Sequence, residues 1–482
     1  MSAQLEQDDR GTSIQPAAFE SFRASFRGEL VLPSDAPYEL ARRVWNGAID
    51  KRPALIARCS GAVDVVRAVE FAREHDLLVA VRGGGHNVAG HATCDGGVVI
   101  DLSPMRSNSL DLARRSIRVQ AGATWGDVDH ETQAFGLATT GGLVSTTGIA
   151  GFTLGGGFGW LMRKHGLACD NLLSAEIVTA GGRLLRTSAD ENADLFWGLR
   201  GGGGNFGIVT SFEFRLHAVG PIVTAGAIFF RGDDAAHALR FYRDWIEKAP
   251  DELTTAVTLA TAAPAPFLPE EVHGKRVVVV SGCFDGEPED GMRALQPLKQ
   301  FDSAVADLIE PMPYTEMQAL VDGQWAAGAC NYFKSSYLAG LEDRAIETLL
   351  DAHERAVSPD SKIQLYHLGG AAARVGADET AFPHREAPYL MNIAARWTDP
   401  AESDIHVSWA RELHAAMTSF ATGGVYVNFL GEEGQDRVRA AYGERTYERL
   451  VELKNSYDPA NVFRVNQNIP PAPATTRPSR RA

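Results

Sequence analysis

Helical and strand-like hydrophobic patterns alternate along the first half of the chain. Apolar side chains recur every three or four positions over residues 61–76, which predicts a helix, and residues 124–136 predict a second helix capped by Thr124. Residues 174–188 predict a hairpin that turns at two glycines. Short apolar runs predict four further strands, at residues 77–85, 97–103, 116–122 and 207–217.

Longer amphipathic helices dominate the pattern after residue 218. Helices are predicted over residues 236–249, 286–300, 341–356 and 404–420. Strands are predicted between them, over residues 275–282, 362–370 and 389–397. This mixture is typical of an α+β fold with a mostly antiparallel sheet. Residues 423–430 predict one more strand, and residues 435–457 predict a single helix.

The change of pattern divides the chain into two predicted domains. Residues 19–218 and 425–471 form the first domain, and residues 219–424 form the second. The chain is therefore expected to leave the first domain and to return to it. Residues 1–18 are polar and residues 472–482 are basic and contain proline, so we predict a flexible leader and a flexible tail.

Composition and charge exclude several classes of protein. The chain has 482 residues, of which 45% are hydrophobic and 22% charged, as in soluble globular proteins. Lys and Arg number 46 and Asp and Glu 61, and the net charge of −15 disfavours nucleic acid and membrane surfaces as partners. The N-terminus lacks the apolar core of a secretory signal. The five cysteines are scattered, which fits free thiols and a cytoplasmic location.

Glycine is concentrated in one part of the chain. Of the 48 glycines, 26 lie between Gly83 and Gly207. Because each glycine costs backbone entropy, this density indicates tight loops or backbone that lies against a large ligand. Gly202, Gly204 and Gly207 match the GxGxxG pattern, but they precede a predicted strand instead of opening a helix, which argues against a dinucleotide-binding fold of that type.

Residues 82–87, Arg-Gly-Gly-Gly-His-Asn, carry the most informative motif. Three glycines after a predicted strand leave consecutive backbone N–H groups free to bind an anion such as phosphate, and His86 follows directly. A plain glycine turn with a surface histidine fits this segment equally well. His86, His91 and Cys94 do not have the spacing of a common zinc site, so we predict no metal.

A second glycine-rich segment, residues 146–160, has small hydroxyl side chains between its glycines. A flat group could pass close to this main chain, and three consecutive glycines argue against a buried helix.

Five motifs over residues 20–471 resemble, in their order and spacing, the berberine-bridge-enzyme-like branch of the vanillyl-alcohol-oxidase family. They are RGGGHN, TTGIAGFTLGGGFGW, DLFWGLRGGGGNFGIV, VYVNF and DPANVFRVNQNIPP. The resemblance implies a PCMH-type FAD-binding fold with an inserted substrate domain.

The resemblance also implies a covalent bond between FAD and His86, which would retain the cofactor and raise its reduction potential. Val144 stands where many relatives have a cysteine that forms a second bond to the flavin, so we expect a single bond. Thr147 would lie where relatives hold a small residue that gates oxygen, although a turn threonine is an equal alternative. The residues implied to bind FAD are Arg82, Gly83, Gly84, Gly85, His86, Asn87, Gly90, Ser145, Thr146, Thr147, Gly148, Gly151, Gly155, Gly156, Gly157, Gly159, Gly207, Ile208, Val209, Tyr426, Asn428, Asn466 and Asn468.

In several relatives the tyrosine of the Tyr-x-Asn motif serves as the catalytic base, and Tyr426 is the matching residue here. Its ordinary pKa of about 10 would require a nearby cation or a proton relay, and the alternative is an aromatic ring that only packs. Asn428 would orient the flavin or the substrate. Asn392 stands where plant-type members have a glutamate or glutamine, and asparagine cannot act as a base. Weaker candidates for the base are Tyr332, Tyr366 and Arg374.

The resemblance implies an oxidase that takes a hydride from a C–H bond next to oxygen or nitrogen. Its substrate would be a small organic molecule, such as a secondary metabolite or a sugar, and O₂ would be reduced to H₂O₂. Two alternatives stay open: a flavin dehydrogenase or tailoring oxygenase, and a non-catalytic flavin-binding protein. No motif in residues 219–424 identifies the substrate, and the sequence indicates no oligomeric state.

Overall fold

The computed structural model of the protein describes residues 16–473, so residues 1–15 and 474–482 of the predicted leader and tail lie outside the described residues. A helix, Pro16–Ser25, begins inside the predicted leader. It forms there because Phe19 and Phe22 are buried, and the Phe22 ring stacks on Phe71 at 4.3 Å between centroids. The prediction of a flexible leader is therefore wrong for its last three residues.

Residues 29–218 form three sheets. The first sheet has a parallel core and one antiparallel edge, in the spatial order Glu29–Val31, Leu55–Arg58, Val98–Asp101 and Val79–Arg82. The second sheet is antiparallel, in the order Asn108–Asp111, Ser116–Gln120, Gly207–Arg215, Leu172–Thr179 and Leu184–Ser188. The third pairs Leu137–Ala138 with His217–Ala218. Every strand and the hairpin predicted in this region are present.

Short helices connect these strands. They are Tyr38–Ala41, Ala62–Glu74, Trp125–Gln133, Ile149–Leu154, Met162–His165 and Ala193–Leu199. The helix predicted over residues 124–136 has the predicted start, where the carboxylate of Asp127 accepts the backbone N–H of Thr124 at 2.8 Å. The segment after Gly148 contains one short helix, Ile149–Leu154, which ends before the three consecutive glycines.

Residues 222–397 contain one antiparallel sheet, called here the eight-stranded sheet. Its spatial order is Ala304–Asp307, Ile222–Arg231, Arg276–Phe284, Leu253–Thr261, Lys362–His367, Tyr389–Trp397 and Cys330–Leu338, with Glu310–Pro313 beside Ile222–Arg231. The helices of this region are Ala235–Ile246, Pro288–Lys299, Tyr314–Ala319, Asp343–Glu354, Gly370–Arg374 and Ser403–Ala416. The predicted α+β fold is confirmed.

Side chains alternate across the eight-stranded sheet. Ile363 and Ile393 pack into an apolar cluster with helix residues such as Leu349. Their neighbours Gln364 and Asn392 point to the opposite face, because successive side chains of a strand leave on opposite sides. One face of the sheet therefore forms a core, and the other is free to line a cavity.

Two apolar clusters are the largest in the described chain. One joins residues 19–216 and Ala381 to residues 425–469, and the other lies within residues 228–417. We propose that these clusters are the cores of the two domains. Residues 425–469 are called here the returning segment. Within it Lys454 is fully buried, and its Nζ donates to Asn205 O at 2.9 Å and to the Asp458 carboxylate at 2.7 Å.

Two predictions for the returning segment are wrong. Residues 423–430 do not form a strand, because the chain makes a 3₁₀ turn at Val427–Phe429, where Phe429 N donates to Tyr426 O at 2.9 Å. The single helix predicted over residues 435–457 is two helices, Gln435–Tyr442 and Glu444–Tyr457. The break falls at Gly443, whose φ of +69° is open to glycine but disfavoured for other residues. Within residues 16–473, none of the helices has the length and apolar character needed to cross a membrane.

Candidate functional site

A cavity of about 380 Å³ extends from the glycine-rich loops to the free face of the eight-stranded sheet. It brings together sixteen of the residues proposed from the sequence, although these lie far apart along the chain. They are Gly83, Gly84, Gly85, His86, Asn87, Thr147, Gly148, Gly151, Gly155, Gly207, Ile208, Val209, Asn392, Tyr426, Asn428 and Asn466.

The loop after the third strand of the chain presents free backbone donors to this cavity. Within the described chain, the N–H groups of residues 84–87 donate to no protein acceptor. A Cβ on Gly84 would lie 2.4 Å from Gly148 N, so both positions require glycine. At Gly151 and Gly204, by contrast, an added Cβ would meet no atom within 4 Å. The loops thus combine a site for an anion with open space along the main chain.

His86 lies beside this loop in an apolar setting. Its ring stacks on Trp45 with 5.4 Å between centroids, and its Nε2 lies 3.3 Å from the Thr146 hydroxyl. Burial lowers the pKa of His86 to about 4, and the carboxylate of Asp322 opposes this shift. The imidazole is therefore neutral at pH 7 and keeps a free electron pair.

A contact across the cavity fixes the loop that carries Thr146 and Thr147. The half-buried carboxylate of Asp322, which lies after the eight-stranded sheet's edge strand at 310–313, accepts the N–H of Ser145 at 2.8 Å and also its hydroxyl. Hydrogen bonds to a charged acceptor are stronger than neutral ones. The Ser145 loop is thus attached to the part of the chain that contains the eight-stranded sheet.

Replacing Asp322 by alanine is expected to lower the free energy of unfolding by about 2 kcal/mol, because two donors of Ser145 lose a charged acceptor. Urea unfolding, followed by circular dichroism, measures the change. Asp302→Ala removes an exposed aspartate and serves as the control, with little effect expected. Equal stabilities of the two variants would contradict the role given to Asp322.

Tyr426 and Asn428 form a hydrogen-bonded pair in the 3₁₀ turn. The Tyr426 hydroxyl accepts Asn428 Nδ2 at 2.8 Å and Gly157 N at 3.2 Å. The ring packs against Phe158 and Phe429, with centroids 5.1 Å away in each case. Burial raises the pKa of Tyr426 well above its usual value, more than these two donors lower it. The side chain is therefore a neutral phenol across the physiological range.

The eight-stranded sheet contributes polar side chains to the opposite wall of the cavity. Asn392 Nδ2 donates to Gln364 Oε1 at 3.2 Å across paired strands. The Oδ1 atoms of Asn392 and Asn466 are buried and accept no hydrogen bond within the described residues. Such orphaned acceptors indicate that a ligand donates to them, because buried polar atoms in proteins are normally paired.

Several lining residues were missed by the sequence analysis. Lys362, Gln364, Trp325 and Phe333 all line the cavity but belong to no recognised motif. The alternation of Lys362 and Gln364 with Ile363 and Leu365 in the strand predicted over residues 362–370 was the available signal.

Eight predicted FAD-binding residues do not line the cavity: Arg82, Gly90, Ser145, Thr146, Gly156, Gly157, Gly159 and Asn468. Some of them contact lining residues. Gly157 donates to Tyr426, and Arg82 is buried and donates to Ala92 O at 3.4 Å. A Cβ on Gly159 would lie 1.7 Å from Gly141 O, so close packing of two loops requires this glycine.

Of the three weaker candidates for the base, one lines the cavity and two do not. Tyr366 lines the cavity, and burial raises its pKa well above the ordinary value. Tyr332 and Arg374 do not line it. The Tyr332 hydroxyl accepts Arg411 Nε at 3.1 Å, and Arg374 pairs with Asp251 at 2.6 Å.

Comparisons with known proteins match this architecture. The family model described as FAD binding domain matches residues 53–188, and the model described as berberine and berberine like matches residues 425–470. The FAD-linked oxidoreductase pgmH of Aspergillus terreus is 42% identical over 495 residues, which cover 96% of this chain and 98% of the relative. The (R)-6-hydroxynicotine oxidase of Paenarthrobacter nicotinovorans is 33% identical over 456 residues, which cover 93% and 97%.

A solved structure gives the same result. The crystal structure of 6-hydroxy-D-nicotine oxidase from Arthrobacter nicotinovorans has a TM-score of 0.84 and 32% identity, with 93% of this chain and 99% of that chain covered. The free N–H groups of residues 84–87 and the open space at Gly151 and Gly204 fit a pyrophosphate and an extended cofactor. The chain therefore belongs to the berberine-bridge-enzyme-like family of FAD-linked oxidoreductases, and it is an FAD-dependent enzyme with that family's α+β fold.

Proposed function

We propose that the protein is an FAD-dependent oxidase that removes a hydride from a C–H bond next to oxygen or nitrogen of a small organic substrate. The substrate loses a hydride and a proton, and O₂ takes up two electrons and two protons to give H₂O₂. The observation that carries this proposal is the continuous cavity, which joins the anion-binding loop and His86 to Tyr426 and the polar face of the eight-stranded sheet. A relative named as a nicotine oxidase supports it.

In this proposal the FAD, held by the loops around residues 84–87, 147–151 and 203–209, supplies the hydride acceptor. His86 would bind it covalently through its neutral imidazole. Val144 lines the cavity and offers no sulfur for a second bond, so one linkage is proposed. Thr147 also lines the cavity, and its proposed role in steering O₂ stays a prediction.

The protein groups near the reacting atoms would orient the substrate and hold its proton. Tyr426, whose oxygen already accepts two hydrogen bonds, has its own proton left to donate to a substrate oxygen or nitrogen. Asn392 offers the free Oδ1 as an acceptor for a substrate O–H or N–H. Because burial raises the pKa of Tyr426, this residue can take a proton only while it passes its own proton on.

The reaction of the reduced enzyme with O₂ tests the oxidase proposal. The holoenzyme, reduced with dithionite without air, is mixed with aerated buffer, and flavin absorbance and H₂O₂ are followed. An oxidase should be reoxidised much faster than free reduced FAD at the same O₂ concentration, and it should release one H₂O₂ per flavin. Reoxidation no faster than that of free FAD would indicate a dehydrogenase, and fast reoxidation without H₂O₂ would not fit an oxidase.

A further inference from the structure

The cavity has a one-sided distribution of charge. Among the described residues that line it there is no aspartate, glutamate or arginine, and one lysine, Lys362. The two lining histidines, His86 and His91, are neutral at pH 7, because burial lowers the pKa of each to about 4. The charged side chain that the described lining residues present to this cavity is therefore Lys362.

Lys362 is the first residue of the strand Lys362–His367 and faces the cavity together with Gln364. Its Nζ lies 4.9 Å from the ring centroid of Trp325. No carboxylate of the described chain forms an ion pair with it, although exposed Asp360 favours its charge and Arg396 opposes it. The guanidinium of Arg396 also lies over the Trp325 ring, 5.7 Å from its centroid, but it does not line the cavity and donates to Asn331 Oδ1 at 3.0 Å.

Burial lowers the pKa of Lys362 to about 8, so the amine is mainly charged at pH 7. A half-buried cation without an anionic partner has lost part of its hydration and gained little in return. An anion that enters the cavity would form a charge-assisted hydrogen bond to it and would restore the lost stabilisation.

We propose that Lys362 binds an ionised acidic oxygen of the substrate, a carboxylate or a phenolate, and that the enzyme selects aromatic organic anions. The aromatic walls fit a ring, since Trp325 and Phe333 meet edge to face at 6.0 Å near the lysine. Along the strand, Tyr366 lies four residues from Lys362, about 13 Å at the rise of an extended chain. The Tyr366 ring packs on Phe158 at 4.7 Å, and Phe158 packs on Tyr426, so the proposed place of the reacting C–H bond lies toward the other end of the substrate from the anionic group. This assignment rests on the proposed oxidase function and adds its substrate class.

Three probes of equal shape separate charge from fit: benzoate, benzamide and benzamidine. Each is titrated into the oxidised holoenzyme, and binding is measured by isothermal titration calorimetry. Benzoate should bind at least about tenfold more tightly than benzamide, and benzamidine should bind most weakly because two cations repel. A series of substituted benzoates and phenols of low pKa then distinguishes carboxylate from phenolate.

The variant Lys362→Met keeps an unbranched apolar chain and removes the charge. It should bind benzoate and benzamide with equal affinity, while its affinity for benzamide should stay close to that of the unchanged enzyme. Lys362→Arg should keep the preference for benzoate. Lys248→Met, at an exposed lysine, is the matched control and should change neither affinity.

The affinity for benzoate should also depend on pH. The free lysine loses its proton as pH rises through about 8, so benzoate binding should weaken by about tenfold per pH unit above that value. Lys362→Arg should remove this dependence, because the guanidinium stays charged. Benzamide binding should be constant over the same range.

The proposal is wrong if benzoate binds no more tightly than benzamide, including the case in which neither binds, or if Lys362→Met keeps the preference. Should Lys362→Met fail to fold, the three probes and the pH series in the unchanged enzyme still decide. The oxidase function fails by a different result, slow reoxidation of reduced flavin in air, so the two failures are distinguishable.

Discussion

Alanine in place of His86 is expected to abolish the covalent attachment of flavin. Protein precipitated with acid should be yellow for the unchanged enzyme, and precipitated His86→Ala should be colourless, with all flavin in the supernatant. The physical reason is that the half-buried, neutral imidazole of His86, at the end of the anion-binding loop, is the nucleophile that we propose for this bond. Absorbance of the two fractions at the flavin band measures the bound share.

His91→Ala is the matched control for this experiment. His91 also lines the cavity, and burial lowers its pKa to about 4 as well, but it lies past the glycines, in a turn where its backbone N–H donates to Asn87 Oδ1 at 3.0 Å. This variant should keep its covalent flavin. Yellow precipitated His86→Ala, or colourless precipitated His91→Ala, would show that the attachment site has been assigned to the wrong histidine.

Phenylalanine in place of Tyr426 should slow reduction of the flavin by substrate by about 10²-fold or more, because it removes the hydroxyl that we propose to orient the substrate and exchange its proton. The ring contacts with Phe158 and Phe429 stay, so the cavity keeps its shape. Anaerobic stopped-flow mixing of substrate with the oxidised enzyme measures the rate. An unchanged rate would remove Tyr426 from the mechanism.

Two further tyrosines make this test specific. Tyr442→Phe is the control, since its hydroxyl lies at Gly202, 3.3 Å away, on the side of the glycine loops. Tyr366→Phe tests the remaining candidate for the base, and a larger loss of reduction rate in this variant than in Tyr426→Phe would transfer the role to Tyr366.

Since burial raises the pKa of Tyr426, the reduction rate should show no ionisation of this phenol below about pH 10. A rate that rises tenfold per pH unit up to that point would instead indicate a reactive phenolate.

The glycine-rich half of the site could be predicted because its signal is local. Bare backbone at residues 83–85 and 146–159 is visible in the sequence itself, and the structure places most of these residues along one cavity. The helix Ala62–Glu74 and the strand Tyr389–Trp397 were predictable for the same reason, since their periodicity lies within one segment. Their predicted bounds lie within two residues of the observed ones.

The cavity wall formed by the eight-stranded sheet could not be predicted, because it depends on pairing between strands that are distant in the sequence. Gln364 meets Asn392 only through the register of their two strands, and Lys362 meets Trp325 only through the fold. The turn at Tyr426 was predicted as a strand for a related reason. Its apolar pattern suits a strand, but the Asn428 amide donates to Phe152 O at 3.1 Å and bends the chain away from any sheet.

During synthesis on the ribosome, the first apolar cluster stays incomplete until residues 425–469 have emerged, because it takes up Val425, Leu450 and Ile469. The eight-stranded sheet has all of its strands between residues 222 and 397, so it can fold earlier as a unit. The middle of the described chain can therefore become native before the regions that flank it. Loss of residues 425–469 would remove Tyr426, Asn428 and Asn466 from the cavity wall together with this part of the cluster.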